Sequence, residues 1–308
     1  MAFNRSNSFI VGYAIGGTGS VTKLGAGTLI LTGANTYAGP TTITAGKLQI
    51  GNGGTTGSID NTSGVTNNAE LVYNRGDSLS VGYAIGGTGS LTKLGAGTLT
   101  LSGANTYAGD TTVNDGTLSL AGSNAQLNFV IGAAGVNNKI TGAGTLLLAG
   151  DFNFDLAAAS TTLNDWWQIV DVGTLVETFE DTFSVLGFKP HAGGVLWTKA
   201  ILSTLNAYEF SESTGILRVT NASLPGDTNG DFVVDAADFI NLKKNFNKPG
   251  AGVEQGNFTG TDGFVDWADL SVLMNNMGVP GPTTTAPEPA TLGLLAIGAL
   301  AMLRRRRK

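Results

Sequence analysis

The chain has 308 residues and a formal net charge of −6, with 17 basic and 23 acidic residues, one histidine and no cysteine. This balance excludes the basic surface of a nucleic-acid binder, a disulfide framework, a thiolate metal site and a histidine-rich catalytic metal centre. The 46 glycines, about twice the average share of a soluble protein, indicate a repeat architecture rather than an average enzyme.

The first half of the chain is an internal duplication. Residues 4–50 and 74–120 are identical at 33 of 47 positions when the chain is shifted by 70 residues. Short threonine and leucine runs alternate between glycine turns, a period-two pattern that is typical of strands with leucine inward and threonine outward. The spacing of Leu29, Leu48, Leu71 and Leu99 adds up to one shift and predicts three coils per unit.

A compressed third copy follows, in which residues 142–150 repeat the pattern of residues 95–103. Repeated coils that cannot bury their apolar stripe alone predict a right-handed parallel β-solenoid over residues 1–150. Residues 19–39 and 89–109 resemble the autotransporter-associated β-strand repeat, with the pattern G-x-L-x-K-x-G-x-G-T-L-x-L-x-G-x-N-x-Y-x-G. The resemblance implies a solenoid of the kind found in exported surface proteins.

The ANTYAG turns of the two copies permit two interpretations. Asn35 and Asn105 could contact a sugar, with Tyr37 and Tyr107 as stacking platforms. The alternative, which the sequence favours, is structural: asparagine in stacked turns satisfies backbone groups, and tyrosine covers the apolar stripe.

The chain starts inside a repeat, because residues 2–16 correspond to residues 72–86. An uncapped first coil exposes an unpaired edge. We therefore expect a truncated N-terminus, with an export signal upstream.

Residues 151–223 carry strand-like runs and large aromatic residues, which predict a β cap on the solenoid, with a hairpin turn at Thr214 and Gly215. Acidic residues beside aromatic ones also permit a polysaccharide-cleaving site, because glycoside hydrolysis uses a carboxylate pair. The candidates are Asp165 next to two tryptophans, or the group Glu177, Glu180 and Asp181. No motif fixes their geometry, and a solvated acidic face is the competing interpretation.

Residues 226–248 have the spacing of a calcium loop followed by a helix. Such a loop supplies side-chain ligands from positions 1, 3, 5, 9 and 12, which here are Asp227, Asn229, Asp231, Asp235 and Asp238. Position 7 supplies a main-chain carbonyl, which here is that of Val233. Calcium takes about 6 to 8 oxygen ligands, so this spacing indicates a loop that curls around the ion. A capped helix with an acidic first turn would explain Asp235 and Asp238 alone.

A second copy of the loop and helix follows. Its predicted ligands, with one residue inserted before the third of them, are Asn257, Thr259, Asp262, the carbonyl of Phe264, Asp266 and Asp269. The duplicated pattern is similar to the type I dockerin domain and covers residues 224–279. The resemblance implies calcium in each half and a helical surface that binds a cohesin-like protein. Ala236 with Ala237, and Trp267 with Ala268, replace the Ser-Thr pairs that cohesins recognise in such domains.

Residues 280–289 form a Pro/Thr linker, and an apolar run over residues 292–303 precedes five basic residues. Twelve residues make about 18 Å of helix, short of the ~30 Å hydrocarbon core of a bilayer. Residues 287–308 resemble the PEP-CTERM sorting signal, whose marks here are Pro287, Glu288, Pro289, Arg304, Arg305, Arg306 and Arg307. The resemblance implies recognition by exosortase, a membrane protease; a permanent tail anchor is the alternative, and both place the solenoid outside the cytoplasm.

Three functions remain open from the sequence. The leading hypothesis is a non-enzymatic exported surface or matrix protein, with an adhesive solenoid and a calcium-dependent module that docks on a cohesin-like protein or a surface glycan. The second is a surface-displayed solenoid polysaccharide lyase or glycoside hydrolase. In the third, calcium only stiffens the stalk.

Overall fold

The chain is mainly β, as predicted, and its computed structural model describes residues 1–171, 175–190, 195–201, 206–221, 226, 228, 234–248, 256–257 and 264–277. Two compact units are present. The first contains Met1–Lys199 and Glu209–Arg218, and the second contains Ala200–Tyr208 and Val219–Lys308.

The first unit contains a parallel β-solenoid, which confirms the predicted fold class. Its first sheet consists of β1 (Ala2–Phe3), β3 (Val21–Lys23), β5 (Thr41–Ile43), β7 (Val65–Asn67) and β10 (Ile85–Gly86). Its second sheet consists of β2 (Phe9–Val11), β4 (Thr28–Leu31), β6 (Lys47–Ile50), β8 (Glu70–Tyr73), β11 (Ser90–Lys93), β13 (Thr111–Val113) and β16 (Ile140–Gly142). Its third sheet consists of β9 (Leu79–Val81), β12 (Thr98–Leu101), β14 (Thr117–Leu120), β17 (Thr145–Leu148) and β20 (Val176–Phe179).

Each full coil of the solenoid has three sides. The chain passes from β7 in the first sheet to β8 in the second and β9 in the third, and returns to the first sheet at β10. Like side chains stack from coil to coil, as Leu48 pairs with Leu71 and Leu71 with Leu91. All three leucines are fully buried, so each coil is stabilised by the apolar surface of its neighbours.

The prediction of three coils per repeat is wrong, because one repeat spans three coils and one further side of the solenoid. Val21 pairs with Thr41, Thr41 with Val65, and Val65 with Ile85, so three coils end at Ile85. The repeat equivalent of Val21 is Leu91, which lies one side further on, in the second sheet. Coils of 20, 24 and 20 residues fall short of the 70-residue repeat.

Leu99 is therefore not the fourth member of the predicted leucine column. It lies in the third sheet, between Leu79 and Leu118. Leu29, its repeat equivalent, lies in the second sheet and pairs with Leu48. The two copies thus display equivalent residues on adjacent sides of the solenoid.

The corners between the sheets depend on close backbone approach. A Cβ atom on Gly97 would collide with the carbonyl oxygen of Asp77 in the coil before, and one on Gly27 would collide with that of Asn7. Only glycine allows this approach without displacing backbone. The glycine-rich composition is therefore a requirement of the stacking.

Two lysines are buried at equivalent corners. Lys23 donates hydrogen bonds to the carbonyls of Gly25 and Ala45, and Lys93 donates to those of Gly95 and Asp115. Burial lowers the pKa of both ammonium groups. Each lysine joins a turn of its own coil to a turn of the next.

Parallel pairing continues beyond residue 150. A fourth sheet contains β15 (Gln126–Val130), β18 (Asp151–Asp155) and β21 (Ser184–Val185), and β20 still pairs with β17. The interior of these coils is aromatic: the ring centroids of Phe152 and Phe129 are 4.8 Å apart, and those of Phe152 and Phe183 are 4.9 Å apart. Phenylalanine replaces leucine as the stacked core residue at this end.

A final sheet is antiparallel at its outer pairings. Its order is β19 (Trp166–Gln168), β25 (Ile216–Asn221), β24 (Asn206–Ser211), β23 (Leu196–Ile201) and β22 (Lys189–Pro190). The hairpin turn predicted at Thr214 and Gly215 is confirmed, with Gly215 at φ 62°. The inner face carries the buried side chains of Trp167, Phe210 and Leu217.

In the second unit, α1 (Ala236–Asn245) and α2 (Trp267–Asn276) form the predicted pair of helices. Their shared core consists of Val234, Phe239, Leu242, Val265, Leu270 and Leu273.

Candidate functional site

The two helices begin in the same way. Asp235 caps α1 and accepts a hydrogen bond from the amide of Ala237 at 2.7 Å, and Asp266 caps α2 and accepts one from Ala268 at 2.7 Å. A carboxylate at this position satisfies a free amide of the first turn and opposes the positive end of the helix dipole. The duplicated sequence is thus a duplicated structure.

The second aspartate of each first turn is fully buried. Asp238 accepts from the Asp235 amide at 2.9 Å, and Asp269 accepts from the Asp266 amide at 2.8 Å, which completes a reciprocal capping box in each half. Asp238 also accepts from the amide and the hydroxyl of Thr228, at 2.7 and 3.0 Å. These contacts bring the start of the predicted first calcium loop against its last residue.

The halves pack on one another reciprocally through two glycines with positive φ. A Cβ atom on Gly226 would lie 3.1 Å from Leu273 Cα, and one on Gly256 would lie 3.0 Å from Leu242 Cα. Gly256 thus corresponds to Gly226. Asp235 follows Gly226 by nine positions and Asp266 follows Gly256 by ten, so the second segment is longer by one residue.

The halves also meet after α1 and before α2. Phe246 forms a parallel bridge with Val265, and the rings of Phe246 and Trp267 lie 5.3 Å apart in an edge-to-face arrangement. This contact fixes the end of the first half against the start of the second helix.

The predicted calcium ligands fall into two groups. Those outside the described residues are Asp227, Asn229, Asp231, Val233, Thr259 and Asp262. Of the others, Asn257 is buried and the side chain of Phe264 is exposed, while the four aspartates lie at the helix starts. Within the described ranges no group of three or more acidic or histidine side chains converges. Calcium binding therefore stays a prediction.

Carboxylate oxygens, a ligand type that calcium accepts, are present at both helix starts. Each helix start brings two carboxylates together, and the buried Asp238 accepts hydrogen bonds from two backbone amides and one hydroxyl. A buried carboxylate needs hydrogen bonds or a counter-charge. For Asp238 these hydrogen bonds are present.

The ANTYAG residues have the structural role that the sequence favours. Asn105 is fully buried; its side chain accepts from the Ile85 amide at 3.2 Å and donates to the carbonyls of Gly103 and Gln126. Tyr107 is buried with its hydroxyl 2.7 Å from Thr111 Oγ1, and burial raises its pKa. Asn35 and Tyr37 repeat these contacts.

Of the acidic residues in the two alternative hydrolase sites, Asp165 directly precedes β19 and the other three lie on β20 or just after it. Asp165 accepts a hydrogen bond from the hydroxyl of nearby Ser160. Glu177 lies on β20, and Glu180 and Asp181 are exposed in the turn that follows it. Burial raises the pKa of Glu212, whose carboxylate accepts from Trp197 Nε1 at 2.7 Å, so this shift arises from packing.

The sequence did not predict a cleft on the outer face of the antiparallel sheet. The cleft has a volume of about 470 Å³, and its lining contains Asn164, Trp166, Gln168, Leu196, Glu209, Ser211, Thr214, Ile216 and Arg218. Alternation along WWQ, which points Trp166 outward and Trp167 inward, is the signal that could have indicated it.

The sorting-signal residues Pro287, Glu288, Pro289 and Arg304–Arg307, with the apolar run before the arginines, lie outside the described residues. Among the helices that the structure describes, none is long and apolar enough to cross a membrane.

Two family models match parts of the chain. Residues 21–50 and 91–120 match the passenger-associated-transport-repeat, and residues 285–308 match the PEP-CTERM protein-sorting motif. A stretch of 75 residues is 51% identical to the adhesin BmaC autotransporter of Brucella suis biovar 1 (strain 1330). This stretch is 24% of the chain and only 2% of that relative. No solved structure matches the chain.

These matches confirm the predicted repeat and sorting signal. The PEP-CTERM motif implies processing by exosortase, a membrane protein. Together with the autotransporter repeats, it indicates an exported cell-surface protein.

Proposed function

We propose that this surface protein is a non-enzymatic adhesin, in which the solenoid is the adhesive shaft and the paired helices form a calcium-dependent docking module. The observation that carries the docking proposal is the reciprocal packing of two equivalent halves, each with two aspartates at its helix start. A plain helical hairpin needs a cap on each helix but no repeated acidic loop before it.

Calcium fits the chemistry of both halves. The predicted loop residues would add further oxygens to Asp235 and Asp238 in the first half, and to Asp266 and Asp269 in the second. Without a cation, these carboxylates repel one another, so the paired helices should be the first part to unfold in chelator. Weak extracellular calcium modules bind in roughly the 10⁻⁴–10⁻³ M range, which suffices outside the cell.

The exposed helix faces are the surfaces that a protein partner would contact. On α1 the exposed positions are Ala237, Ile240, Lys243 and Lys244, and Ile240 is 52% exposed. On α2 the exposed positions are Ala268, Ser271, Met274 and Asn275. An apolar centre flanked by lysines suits an acidic protein surface, and we propose a cohesin-like protein as the partner.

The adhesive role of the solenoid is supported by the name of the Brucella relative, which is an adhesin. Its buried asparagines and tyrosines are used in stacking, and the cleft has Glu209 as the one carboxylate among its lining residues. Hydrolysis of a glycosidic bond uses two. These observations favour binding over catalysis.

Calorimetric titration of the purified chain with calcium tests the metal proposal. We expect heat of binding at millimolar calcium or below, and a chelator-sensitive first unfolding transition. Asp231→Asn and Asp262→Asn change predicted ligands that belong to neither capping box, and each should weaken binding. Glu254→Gln, an acid between the halves that is not a predicted ligand, is the matched control. No heat at millimolar calcium would refute calcium binding.

Docking is tested by immobilising the chain in calcium and in chelator, and identifying what an extract of the source cells supplies. A cohesin-like protein captured only in calcium, and lost with Ile240→Ser, is the expected result. Calcium binding without such capture would leave the ion a purely stiffening role. Release of reducing sugars from polysaccharides by the same protein would contradict the non-enzymatic assignment.

A further inference from the structure

The outer face of the antiparallel sheet is unlike an ordinary solvated face. Alternation buries Trp167 and Leu217 on the inner face and leaves Trp166 and Arg218, which are directly paired across β19 and β25, on the outer face. The side chain of Trp166 is 53% exposed. A tryptophan left in water on a regular strand has no role in the core, and its flat indole face is suited to an apolar ligand surface.

Polar groups surround this aromatic platform. Arg218 forms an ion pair with Glu209, with Nη2 at 2.5 Å and Nε at 2.8 Å from the same oxygen, Oε1. The other oxygen of Glu209 therefore stays available to accept, and Nη1 of Arg218 to donate. The indole N–H of Trp166 has no acceptor among the described residues. Gln168 is held in place by hydrogen bonds to the carbonyls of Val170 and Thr214.

The charges of the cleft cancel. Glu209 and Arg218 are its charged lining residues, and they are paired with each other. A strongly anionic or cationic ligand would gain no net attraction here. The whole chain is acidic, which also disfavours a nucleic acid.

We propose that this cleft binds a neutral saccharide. A sugar ring offers a face of C–H groups that packs on an indole, and hydroxyls that bind a carboxylate, a guanidinium and an amide at once. The cleft volume of about 470 Å³ lies in the range of small-molecule sites, roughly 300–1,000 Å³. Trp166 is the stacking platform, and Glu209 and Arg218 orient the hydroxyls. This assignment does not rest on calcium binding by the helices.

The test uses the whole chain and a panel of neutral hexasaccharides of β-glucan, chitin, mannan, galactan and α-glucan type. Calorimetry and tryptophan fluorescence should report binding of at least one of them. Trp166→Ala should lower its affinity by at least about tenfold, since a buried tryptophan contact is commonly worth more than 1.4 kcal/mol. Trp166→Tyr should recover part of the loss, and Glu209→Gln with Arg218→Gln should also weaken binding.

Tyr13→Ala is the matched control, because it removes an aromatic side chain of 61% exposure in the first coil. It should leave the affinity unchanged. Binding should persist in chelator, and unfolding of the Trp166→Ala variant should match that of the parent, because the side chain is outside the core. The proposal is wrong if no member of the panel binds, if Trp166→Ala binds equally well, or if an oligogalacturonate binds more tightly than every neutral sugar.

Discussion

The solenoid and the helix pair are both built from duplicated sequence, but they use the duplication differently. Solenoid coils stack in line, so Leu71 is supported by Leu48 on one side and Leu91 on the other. The helix halves pack on each other, with Gly226 against Leu273 and Gly256 against Leu242. Stacked coils can be added without limit, whereas reciprocal packing closes after two copies. The first arrangement provides length, and the second provides a closed pair of packed helices.

The largest predicted effect is the loss of stability when a cavity is made among the stacked leucines of the solenoid. Leu71→Ala removes a fully buried side chain between two coils and should cost about 2–5 kcal/mol of unfolding free energy. Denaturant unfolding followed by strand circular dichroism measures it. Leu24→Ala, at a leucine of 39% exposure, should cost far less. Equal losses would mean that the coils do not depend on their stacked leucines.

A smaller loss of stability, confined to the helix pair, is expected from a change at the start of α1. Asp238→Ala removes the oxygens that accept from the amides of Thr228 and Asp235, a loss that outweighs the relieved repulsion by Asp235, and should cost about 1–2 kcal/mol in chelator. Helical circular dichroism should detect a lower first transition, while the strand signal keeps its midpoint. A shift of both transitions by the same amount would contradict the independence of the two regions.

The smallest predicted effect is the dependence of solenoid stability on pH, which arises from its buried tyrosines. Burial raises the pKa of Tyr107 above its ordinary value of 10.0. Above pH 10 the unfolded state therefore loses a proton that the folded state keeps, and stability falls as pH rises. Unfolding free energy measured from pH 8 to 11 should decline, and the decline should be shallower in Tyr107→Phe. A flat profile would mean that the tyrosine ionises freely in the folded chain.

The sequence predicted the class of each region because both signals are local. Period-two leucines give strands, and an aspartate three residues before another at a helix start gives a capping box. The coil count was wrong because Leu99 was placed by sequence similarity, whereas the side of the solenoid depends on the lengths of all the turns between. The saccharide cleft needed long-range information, since β19 meets β25 across about fifty intervening residues.

The hairpin at Gly215 came closest to revealing that cleft. It places Glu209 and Arg218 on adjacent strands, and the prediction of the turn was right. What sequence alone could not supply was the third strand, which brings Trp166 beside them. The position of Asp165 beside two tryptophans suggested a catalytic carboxylate, but this carboxylate accepts a hydrogen bond from the hydroxyl of Ser160.

The offset of one side rotates the second solenoid copy about the solenoid axis relative to the first. In a longer chain built from the same unit, equivalent residues of successive copies would lie on successive sides of the solenoid. The fourth copy would be the first to present them on the same side as copy one. Any surface patch repeated in such a chain would be presented on all three sides of the solenoid, so a cell-surface molecule could contact a neighbour without first rotating toward it.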